Sequence, residues 1–473
     1  MKHLFLLSVV LAFASGDSAG EQCEVTAPIG RIRGSIMTSR LGKRIYSFRG
    51  VRYAEPPTGQ LRFQVAVPAA DWNDVFDATK EGPACPAIHV ENIMEDCLRV
   101  NVYTTKLPSA SDPVKRPVLV FFHPGAFYIF SGQSSYFGPE YLLDKDIVLV
   151  TVNNRLATLG FLSTGDSKAP GNLGLKDQVV ALRWVQRNIV AFGGNPDSVT
   201  ISGYSIGGFS GLFHRAIMMS GSMTSEPYPT EQLHLAKKQA ELLNCPSDTT
   251  DAMLVCLSSK PVENFTDTIP KFFLAVENQR KLGNNSILDD LNNDWYKVAP
   301  IAFLYERDTP RSRYISTELR QFYFGNQSIG PDTYDNLAHI KADSLITFPL
   351  HRAVKLLAEN TDQSIYFYVS SYQGRYSFVM WNKTTPYGVV HHDDLQYLFF
   401  MKNNFPFFEN NAPEIPMVEL MTIPSTLANN VTWDPYLLET DNYLEISEIP
   451  KMKTGLYPER MQKWESLFPL NSK

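Results

Sequence analysis

Ser205 stands in a sequence pattern that is typical of a serine nucleophile. The stretch 199–210 reads VTISGYSIGGFS, in which a short β-rich run leads into Gly203, Ser205 and Gly207 as G-x-S-x-G. A serine hydroxyl is a weak nucleophile, so it must be exposed and held near a base and near donors for an oxyanion. A tight strand-to-helix turn does this, and the flanking glycines leave room where side chains would clash. The pattern alone is weak, and partners elsewhere in the chain must support it.

Two apolar runs and one amphipathic segment lie upstream of this serine and must position it. Residues 117–123 (PVLVFFH) and 146–153 (DIVLVTVN) predict strands that are buried on both faces of a sheet. Residues 171–185 carry apolar side chains at helical spacing, and the Gly/Pro-containing stretch 192–196 ends that predicted helix. Residues 27–63 alternate apolar and polar positions, which predicts a small antiparallel hairpin near the start.

The composition is that of a long chain with a substantial core. Of the 473 residues, 44% are hydrophobic and 12% are aromatic, and the net charge is −6. Length alone suggests two or three domains, although large α/β folds reach this length as one. The mildly acidic balance argues against a nucleic-acid partner and against binding to an anionic membrane surface.

The N-terminus predicts a secretory signal. A basic start precedes the apolar run 4–14 and a series of small residues, which is the pattern of a cleaved signal peptide. The run is too short to span a bilayer, and a buried helix or strand is the alternative. We therefore expect residues 1–20 to be a signal, cleaved after Gly16 or Gly20, and the protein to be secreted. No hydrophobic tail follows Leu470, which argues against a membrane anchor.

The cysteines and the glycosylation sequons are interpreted in the same extracellular context. Cysteines of a secreted protein pair where they can, and two close pairs, Cys85 with Cys97 and Cys245 with Cys256, would each close a short loop. Cys23 is left over. Five N-x-S/T sequons are candidate glycosylation sites, each weak by itself: Asn264, Asn284, Asn326, Asn382 and Asn430.

Two stretches near the N-terminus carry a resemblance to a known family. Residues 48–57 read FRGVRYAEPP and residues 95–103 read EDCLRVNVY. They resemble the type B carboxylesterases, which include cholinesterases and insect juvenile hormone esterases, and the resemblance continues to the end of the chain. It implies a single α/β-hydrolase domain over residues 21–473, with a central, mostly parallel sheet and helices on both faces. It also implies two structural ion pairs, Arg62 with Glu95 and Arg155 with Asp177.

The resemblance assigns an oxyanion hole as well. Residues 123–127 read HPGAF, close to the family's H-G-G-G-F or H-G-G-A-F. By position, the backbone N–H groups of Gly125, Ala126 and Ile206 would stabilise a developing oxyanion. Pro124 departs from the family and has no N–H, but the donor positions are the next two. A simple strand-ending turn is the alternative.

A histidine far downstream is the predicted base. Residues 388–399 read GVVHHDDLQYLF and resemble the family's G-x-x-H-G-D-D/E-L-x-Y-L-F, which places His391 on the catalytic histidine and His392 on a glycine. His391 would accept the proton of Ser205 and later donate it to the leaving alcohol. The run His-His-Asp-Asp could also suggest a metal site, but no second cluster has metal-ligand spacing. We expect no metal and no cofactor.

The chain is shorter than the family pattern directly after the serine. Only thirteen residues, 203–215, link the strand before Ser205 to the next predicted strand. A parallel crossover with its helix needs at least about 10–12 residues. The helix behind the serine must therefore be short, or its packing must be rebuilt.

A second gap removes the family's usual position for the triad acid. It lies between Phe273 and Asn278, where the expected phrase G-x-N-x-x-E-G is absent. Glu277 is near the join but lacks the following glycine, and Asp289 and Asp290 are interpreted as helical surface. No triad acid is assigned.

Three functions are compatible with these residues. The first is a secreted serine carboxylesterase that hydrolyses apolar, small-molecule esters through an acyl-enzyme, since 29 Phe and 22 Tyr are enough to line an apolar pocket. The second is an esterase-like binding protein that does not catalyse. The third is a shortened product, from exon skipping or an incomplete gene model, that lacks the acid. No prediction is made for the oligomeric state.

Overall fold

The structure is a computed structural model that describes most of the chain. The described residues are 23–109, 113, 115–205, 213–222, 224, 232–272, 285–381, 385–422 and 431–470. The predicted signal lies outside them, and so do several residues named in the sequence predictions, among them Ile206 and Glu277.

A seven-stranded sheet forms the centre of the molecule. The strands of the described chain are β1 (Glu24–Ala27), β2 (Gly30–Arg33), β3 (Ser35–Thr38), β4 (Arg44–Arg52), β5 (Val75–Asp77), β6 (Arg99–Thr104), β7 (Arg116–Phe122), β8 (Val148–Val152), β9 (Gly194–Tyr204), β10 (Arg215–Met219), β11 (Tyr368–Ser370), β12 (Met380–Trp381), β13 (Thr385–Pro386), β14 (Asn442–Ile446) and β15 (Lys451–Thr454). The order in the central sheet is β10-β9-β7-β8-β6-β4-β3. Strands β10, β9, β7 and β8 pair in parallel, whereas β6, β4 and β3 extend the sheet through antiparallel pairs. The sheet is therefore more evenly mixed than predicted.

Helices surround this sheet and form a separate bundle in the second half of the chain. The α-helices are α1 (Ala157–Phe161), α2 (Leu173–Asn188), α3 (Leu233–Leu242), α4 (Thr250–Ser259), α5 (Val262–Thr268), α6 (Asn285–Asn293), α7 (Trp295–Ala302), α8 (Pro310–Phe324), α9 (Tyr334–Ala342), α10 (Phe348–Asn360), α11 (Ile415–Met421) and α12 (Pro458–Leu467). Helices α6 to α10 and α12 contribute to one apolar cluster. Across the described ranges, no helix combines the length and the apolar character needed to cross a bilayer.

The predicted buried strands lie between two apolar cores. In β7, Val118, Val120 and Phe122 pack into a cluster that includes helix α2, whereas Phe121 packs into a cluster on the opposite face. Successive side chains of a strand point to opposite faces, so a strand that is covered on both sides has a continuous apolar sequence. This is why the run 117–123 predicts β7 and the run 146–153 predicts β8.

Several sequence predictions about local structure agree with these elements. The helix predicted over 171–185 is α2, and it continues into a short 3-10 turn that ends at Gly193 with φ +80°. Within the range 27–63 that predicts an N-terminal hairpin, β3 and β4 form an antiparallel pair, and this pair lies at one edge of the central sheet. Both predicted disulfides, Cys85–Cys97 and Cys245–Cys256, are present.

The two predicted ion pairs are also present and bidentate, the Arg155 pair buried and the Arg62 pair partly buried. The Arg62 guanidinium contacts Glu95 at 2.6 and 2.7 Å, and that of Arg155 contacts Asp177 at 2.8 and 2.6 Å. Arg155 also donates to the carbonyl of Gln64, 2.8 Å away. The Arg155 side chain therefore connects the N-terminal segment to helix α2.

The strands after residue 360 do not join the central sheet. Strands β11, β14 and β15 form a sheet of their own, while β10 is an edge strand whose Arg215, Ala216 and Ile217 are exposed. A cleft of about 4170 Å³ lies between the two sheets and is lined by residues of both β10 and β11. The C-terminal end of β9 opens into this cleft.

Candidate active site

Ser205 lies in the turn that follows strand β9, where the G-x-S-x-G pattern places it. Its φ is +64°, a left-handed conformation that costs a non-glycine residue about 1–3 kcal/mol and persists only where the surroundings impose it. The Ser205 N–H donates to the carbonyl of Met219 at the end of β10, 2.8 Å away. This bond fixes the turn against the neighbouring parallel strand, and Ser205 lines the cleft.

Gly221 makes a close approach to the same turn. A Cβ at position 221 would lie 1.5 Å from the carbonyl oxygen of Ser205 and 2.6 Å from its Cα. No side chain fits at such distances, so the serine turn requires glycine at this position. No local pattern identifies Gly221, because the contact joins two segments that are separate in sequence.

The predicted oxyanion loop follows strand β7 and borders the same cleft. Its φ angles are positive at Gly125 (+121°), Ala126 (+48°) and Phe127 (+66°). The Gly125 carbonyl accepts the N–H groups of Tyr128, at 2.8 Å, and Ile129, at 3.1 Å. A Cβ at position 125 would lie 2.2 Å from the Ile129 carbonyl oxygen. Within the described part of the chain, the N–H groups of Gly125 and Ala126 donate to no other group, so both predicted donors are available.

The histidine that opens this loop helps to orient its backbone. Burial lowers the pKa of His123 to about 4, so its ring is neutral at physiological pH. Its Nδ1 lies 2.7 Å from the carbonyl oxygen of Pro124, and because a carbonyl only accepts, Nδ1 carries the proton. A peptide bond is planar and trans, so the N–H of Gly125 points away from the His123 ring.

His391 lies in the loop between β13 and a 3-10 turn, Asp393–Tyr397, and lines the cleft together with Ser205 and Ala126. Its ring centroid is 5.1 Å from that of Tyr204, the residue before the serine. The ring is open to the cleft, but the surrounding protein desolvates its charged form and lowers its pKa to about 4. The His391 imidazole is therefore neutral at physiological pH.

No carboxylate is hydrogen-bonded to the His391 ring among the residues that the structure describes. Desolvation by the surrounding protein accounts for the lowered pKa of His391, whereas an adjacent carboxylate would raise that pKa. The two aspartates that follow it have other partners. Asp393 accepts the Ser377 hydroxyl at 2.8 Å, and Asp394 accepts the Tyr204 hydroxyl at 2.8 Å. Glu277 lies outside the described residues, so no acid is assigned.

The other predicted residues lie away from the cleft or outside the described chain. Asp289 and Asp290 are exposed on helix α6, which agrees with the interpretation of helical surface. Asn264 is half-buried in α5, and Asn326 is exposed just after α8. The remaining sequons lie outside the described residues, as does the third predicted oxyanion donor: Asn284, Asn382, Asn430 and Ile206.

Aromatic rings surround His392, the residue that replaces a glycine of the family pattern. Its ring centroid lies 5.9 Å from that of Phe130 and 5.5 Å from that of Phe378. Both phenylalanines line the cleft, and Phe130 belongs to the chain segment after the oxyanion loop. In the described ranges, no group of three His, Cys, Asp or Glu side chains is arranged to hold a metal ion.

A family model covers almost the whole chain. The carboxylesterase family matches in two segments, residues 21–292 and 276–464. The two matches overlap at residues 276–292, next to the place where the sequence predicts the second gap. The match is therefore split into two overlapping segments close to the place where the triad acid is expected.

Similar proteins agree with this family over most of their length. Esterase FE4 of Myzus persicae is 31% identical and covers 92% of this chain and 91% of its own. That alignment extends over 517 positions, more than the 473 residues of the chain, so the relative has residues where this chain has none. A juvenile hormone esterase of Tribolium castaneum is 30% identical over 78% of this chain and 77% of its own.

A solved structure supports the same conclusion. The juvenile hormone esterase of Manduca sexta, crystallised with OTFP covalently attached, superposes with a TM-score of 0.82 at 26% identity. The match covers 95% of this chain and 100% of that chain, which confirms the predicted α/β-hydrolase fold. The protein described here therefore belongs to the carboxylesterase family, the carboxylic ester hydrolases that use a serine nucleophile.

Proposed function

We propose that this protein is a secreted carboxylesterase that hydrolyses apolar carboxylic esters through an acyl-enzyme on Ser205. The observation that carries the proposal is the convergence on one cleft of three separate segments. These are the left-handed serine turn after β9, the oxyanion loop after β7 and the loop that holds His391. A nucleophile, a neutral base and free N–H donors are the groups that ester cleavage requires.

The serine, the histidine and the N–H donors all act in the proposed reaction. His391 accepts the hydroxyl proton as Ser205 attacks the ester carbonyl, and the N–H groups of Gly125 and Ala126 stabilise the oxyanion, together with that of Ile206. His391 then donates the proton to the leaving alcohol. Water, activated by the same histidine, releases the acid and restores the serine.

The proposed substrate class follows from the surface of the cleft. Phe130 and Phe378 line it beside His392, the residue that follows the proposed base, and aromatic side chains favour apolar ligand groups. The relatives include juvenile hormone esterases, which are named for a hormone ester. A small-molecule ester with an apolar acyl or alcohol group is therefore the proposed substrate.

The proposed location rests on covalent chemistry and on the N-terminal sequence. Two disulfides, Cys85–Cys97 and Cys245–Cys256, are typical of proteins that mature in an oxidising compartment. The N-terminal run predicts a signal peptide. One relative is a venom carboxylesterase, which is a further reason to propose that this chain is secreted.

Labelling with a fluorophosphonate probe tests the proposed nucleophile directly. The probe phosphonylates an activated serine, so the purified protein is expected to become labelled while Ser205→Ala stays unlabelled. Ser222→Ala is the matched control. The Ser222 hydroxyl is hydrogen-bonded to the Thr224 hydroxyl, 3.0 Å away, so this variant should be labelled as the wild type is. A folded wild-type protein that does not react would contradict the proposal.

A second candidate function is an esterase-like protein that binds esters but turns them over weakly or not at all. The absence of a carboxylate on the His391 ring in the described residues favours it, as does the split of the family match into two segments that overlap at 276–292. This alternative predicts that an ester binds the cleft without measurable product. A shortened product of an active esterase gene would behave in the same way.

The pH dependence of labelling should report on the base. His391 works as the neutral imidazole, and its pKa is lowered to about 4. Protonation therefore removes the base only as the pH falls through about 4, whereas an ordinary histidine would lose activity below about 6.5. We expect the rate constant of fluorophosphonate labelling to stay near its plateau at pH 5.5.

The titration of a neighbouring carboxyl group must be distinguished from that of His391. Burial raises the pKa of Asp394 to about 6, so Asp394→Asn is the control that removes its titration. The fall of the labelling rate constant near pH 4 should persist in Asp394→Asn. A fall of the rate constant near pH 6.5 in both the wild type and Asp394→Asn would contradict the prediction and would indicate a carboxylate beside the His391 ring.

A further inference from the structure

Tyr204 connects the serine turn to the histidine loop through a buried hydroxyl. The side chain is only 1% exposed. Its hydroxyl donates to Oδ1 of Asp394 at 2.8 Å and accepts the backbone N–H of His392 at 2.8 Å. Tyr204 is the residue before Ser205, and His392 is the residue after His391. One side chain therefore joins the strand of the nucleophile to the loop of the base.

The rings of the same loop pack against Tyr204. Its ring centroid lies 5.1 Å from that of His391 and 5.0 Å from that of His392, and the two histidine rings are 4.1 Å apart. His392 has φ +83°, a left-handed conformation that persists only where neighbouring groups impose it. The Tyr204 hydroxyl, which accepts the His392 N–H, is one such group.

The protonation states make these two hydrogen bonds durable. Burial raises the pKa of Tyr204 well above its usual value, so the hydroxyl keeps its proton and can donate. The pKa of Asp394 is about 6, so this carboxyl group is largely ionised at neutral pH. A hydroxyl that donates to a carboxylate forms a charge-assisted bond, which is stronger than a neutral one.

We propose that Tyr204 is a positioning residue for ester hydrolysis, whose hydroxyl holds the His391 loop in register with Ser205. The inference rests on the proposed function. Within the described chain, no carboxylate orients the His391 ring, so the position of this base depends on its loop. A displacement of about 1 Å in a reacting group can lower a rate by roughly 100-fold, so the loop must be held closely.

Tyr204→Phe removes the hydroxyl and keeps the ring, and the chain offers a matched control. Tyr323 is also buried, and its hydroxyl likewise donates to an aspartate, Asp343 at 2.5 Å, and accepts an N–H, from Trp464 at 2.7 Å. Tyr323 lies in helix α8, packs in the helical cluster and is not among the residues that line the cleft. Tyr323→Phe therefore loses an equivalent pair of hydrogen bonds without touching the proposed site.

Two measurements separate positioning from stability. For Tyr204→Phe we expect kcat with p-nitrophenyl butyrate to fall roughly 10-fold while KM changes less than about twofold, because the hydroxyl does not bind the ester. We also expect the amide hydrogen of His392 to exchange about 10-fold faster, since it loses its acceptor. Tyr323→Phe should lower the melting temperature but leave kcat and the exchange of peptide 387–398 unchanged.

The outcomes distinguish this inference from the proposed function. Unchanged exchange at His392 in Tyr204→Phe would overturn the positioning role whatever the activity. An equal loss of kcat in both variants would overturn it as well, because the effect would then be general destabilisation. A wild-type protein that neither hydrolyses p-nitrophenyl butyrate nor reacts with fluorophosphonate would overturn the proposed function and, with it, the role of Tyr204 in catalysis.

Discussion

Replacing His391 with alanine is expected to lower kcat for p-nitrophenyl butyrate by at least about 100-fold. The members of a serine triad act as a unit: removing the histidine costs roughly 10⁶-fold in an intact triad, and much less when the acid is already missing. The described residues place no carboxylate on the His391 ring, so we predict a loss closer to 100-fold than to 10⁶-fold. Steady-state kinetics with purified variants measures it.

The matched control is another histidine that lines the cleft. His339, on helix α9, is exposed and lies on the cleft wall, so His339→Ala should change kcat by less than about twofold. A loss near 10⁶-fold in His391→Ala would reveal a third member of the triad that the described residues do not contain. An unchanged kcat would exclude His391 as the base.

The strands of the parallel half of the sheet could be predicted from sequence because their apolar runs have a physical cause. Strands β7 and β8 are covered on both faces, and only a continuous apolar sequence satisfies that environment. Helix α2 was predictable from its helical spacing. The separation of β11, β14 and β15 from the central sheet was not, because strand partners depend on distant segments and no local pattern encodes them.

In the candidate site, too, local sequence patterns identify some residues, and only contacts between distant segments identify others. Ser205 and His391 lie in extended patterns, and the structure brings both to one cleft. The roles inferred for Gly221 and Tyr204 depend on contacts with residues far away in sequence, so one sequence alone does not reveal them. The acid could not be predicted because the phrase that normally carries it is absent between Phe273 and Asn278.

Directly after the serine the chain is short, yet Ser205 keeps a left-handed φ of +64°. Among the described residues, the contacts that impose this conformation come from β10 and the residues after it. They are the Met219 carbonyl, which accepts the Ser205 N–H, and Gly221, which packs against the serine backbone. The turn is therefore expected to depend strongly on Gly221.

Gly221→Ala is expected to abolish most of the reactivity of Ser205, by roughly 100-fold or more. The new Cβ would lie 1.5 Å from the Ser205 carbonyl oxygen, whereas real Cβ contacts essentially never fall below 3.0 Å. The obstacle is backbone and not the end of a flexible side chain, so the serine turn itself must move. Overpacking of this kind also destabilises a protein by about 1–3 kcal/mol. The rate constant of fluorophosphonate labelling, normalised to the folded fraction, measures the first effect and thermal unfolding the second.

Gly330→Ala is the control for replacing a glycine as such. Its backbone is extended, with φ −172°, and a Cβ there would have no neighbour within 4 Å, so both labelling and melting temperature should stay at wild-type values. If Gly221→Ala reacts at the wild-type rate, the close contact does not govern the turn, and the left-handed conformation of Ser205 must have another source. A folded Gly221→Ala protein that is slow to react would show that the position of the serine, beyond the presence of its hydroxyl, limits the reaction.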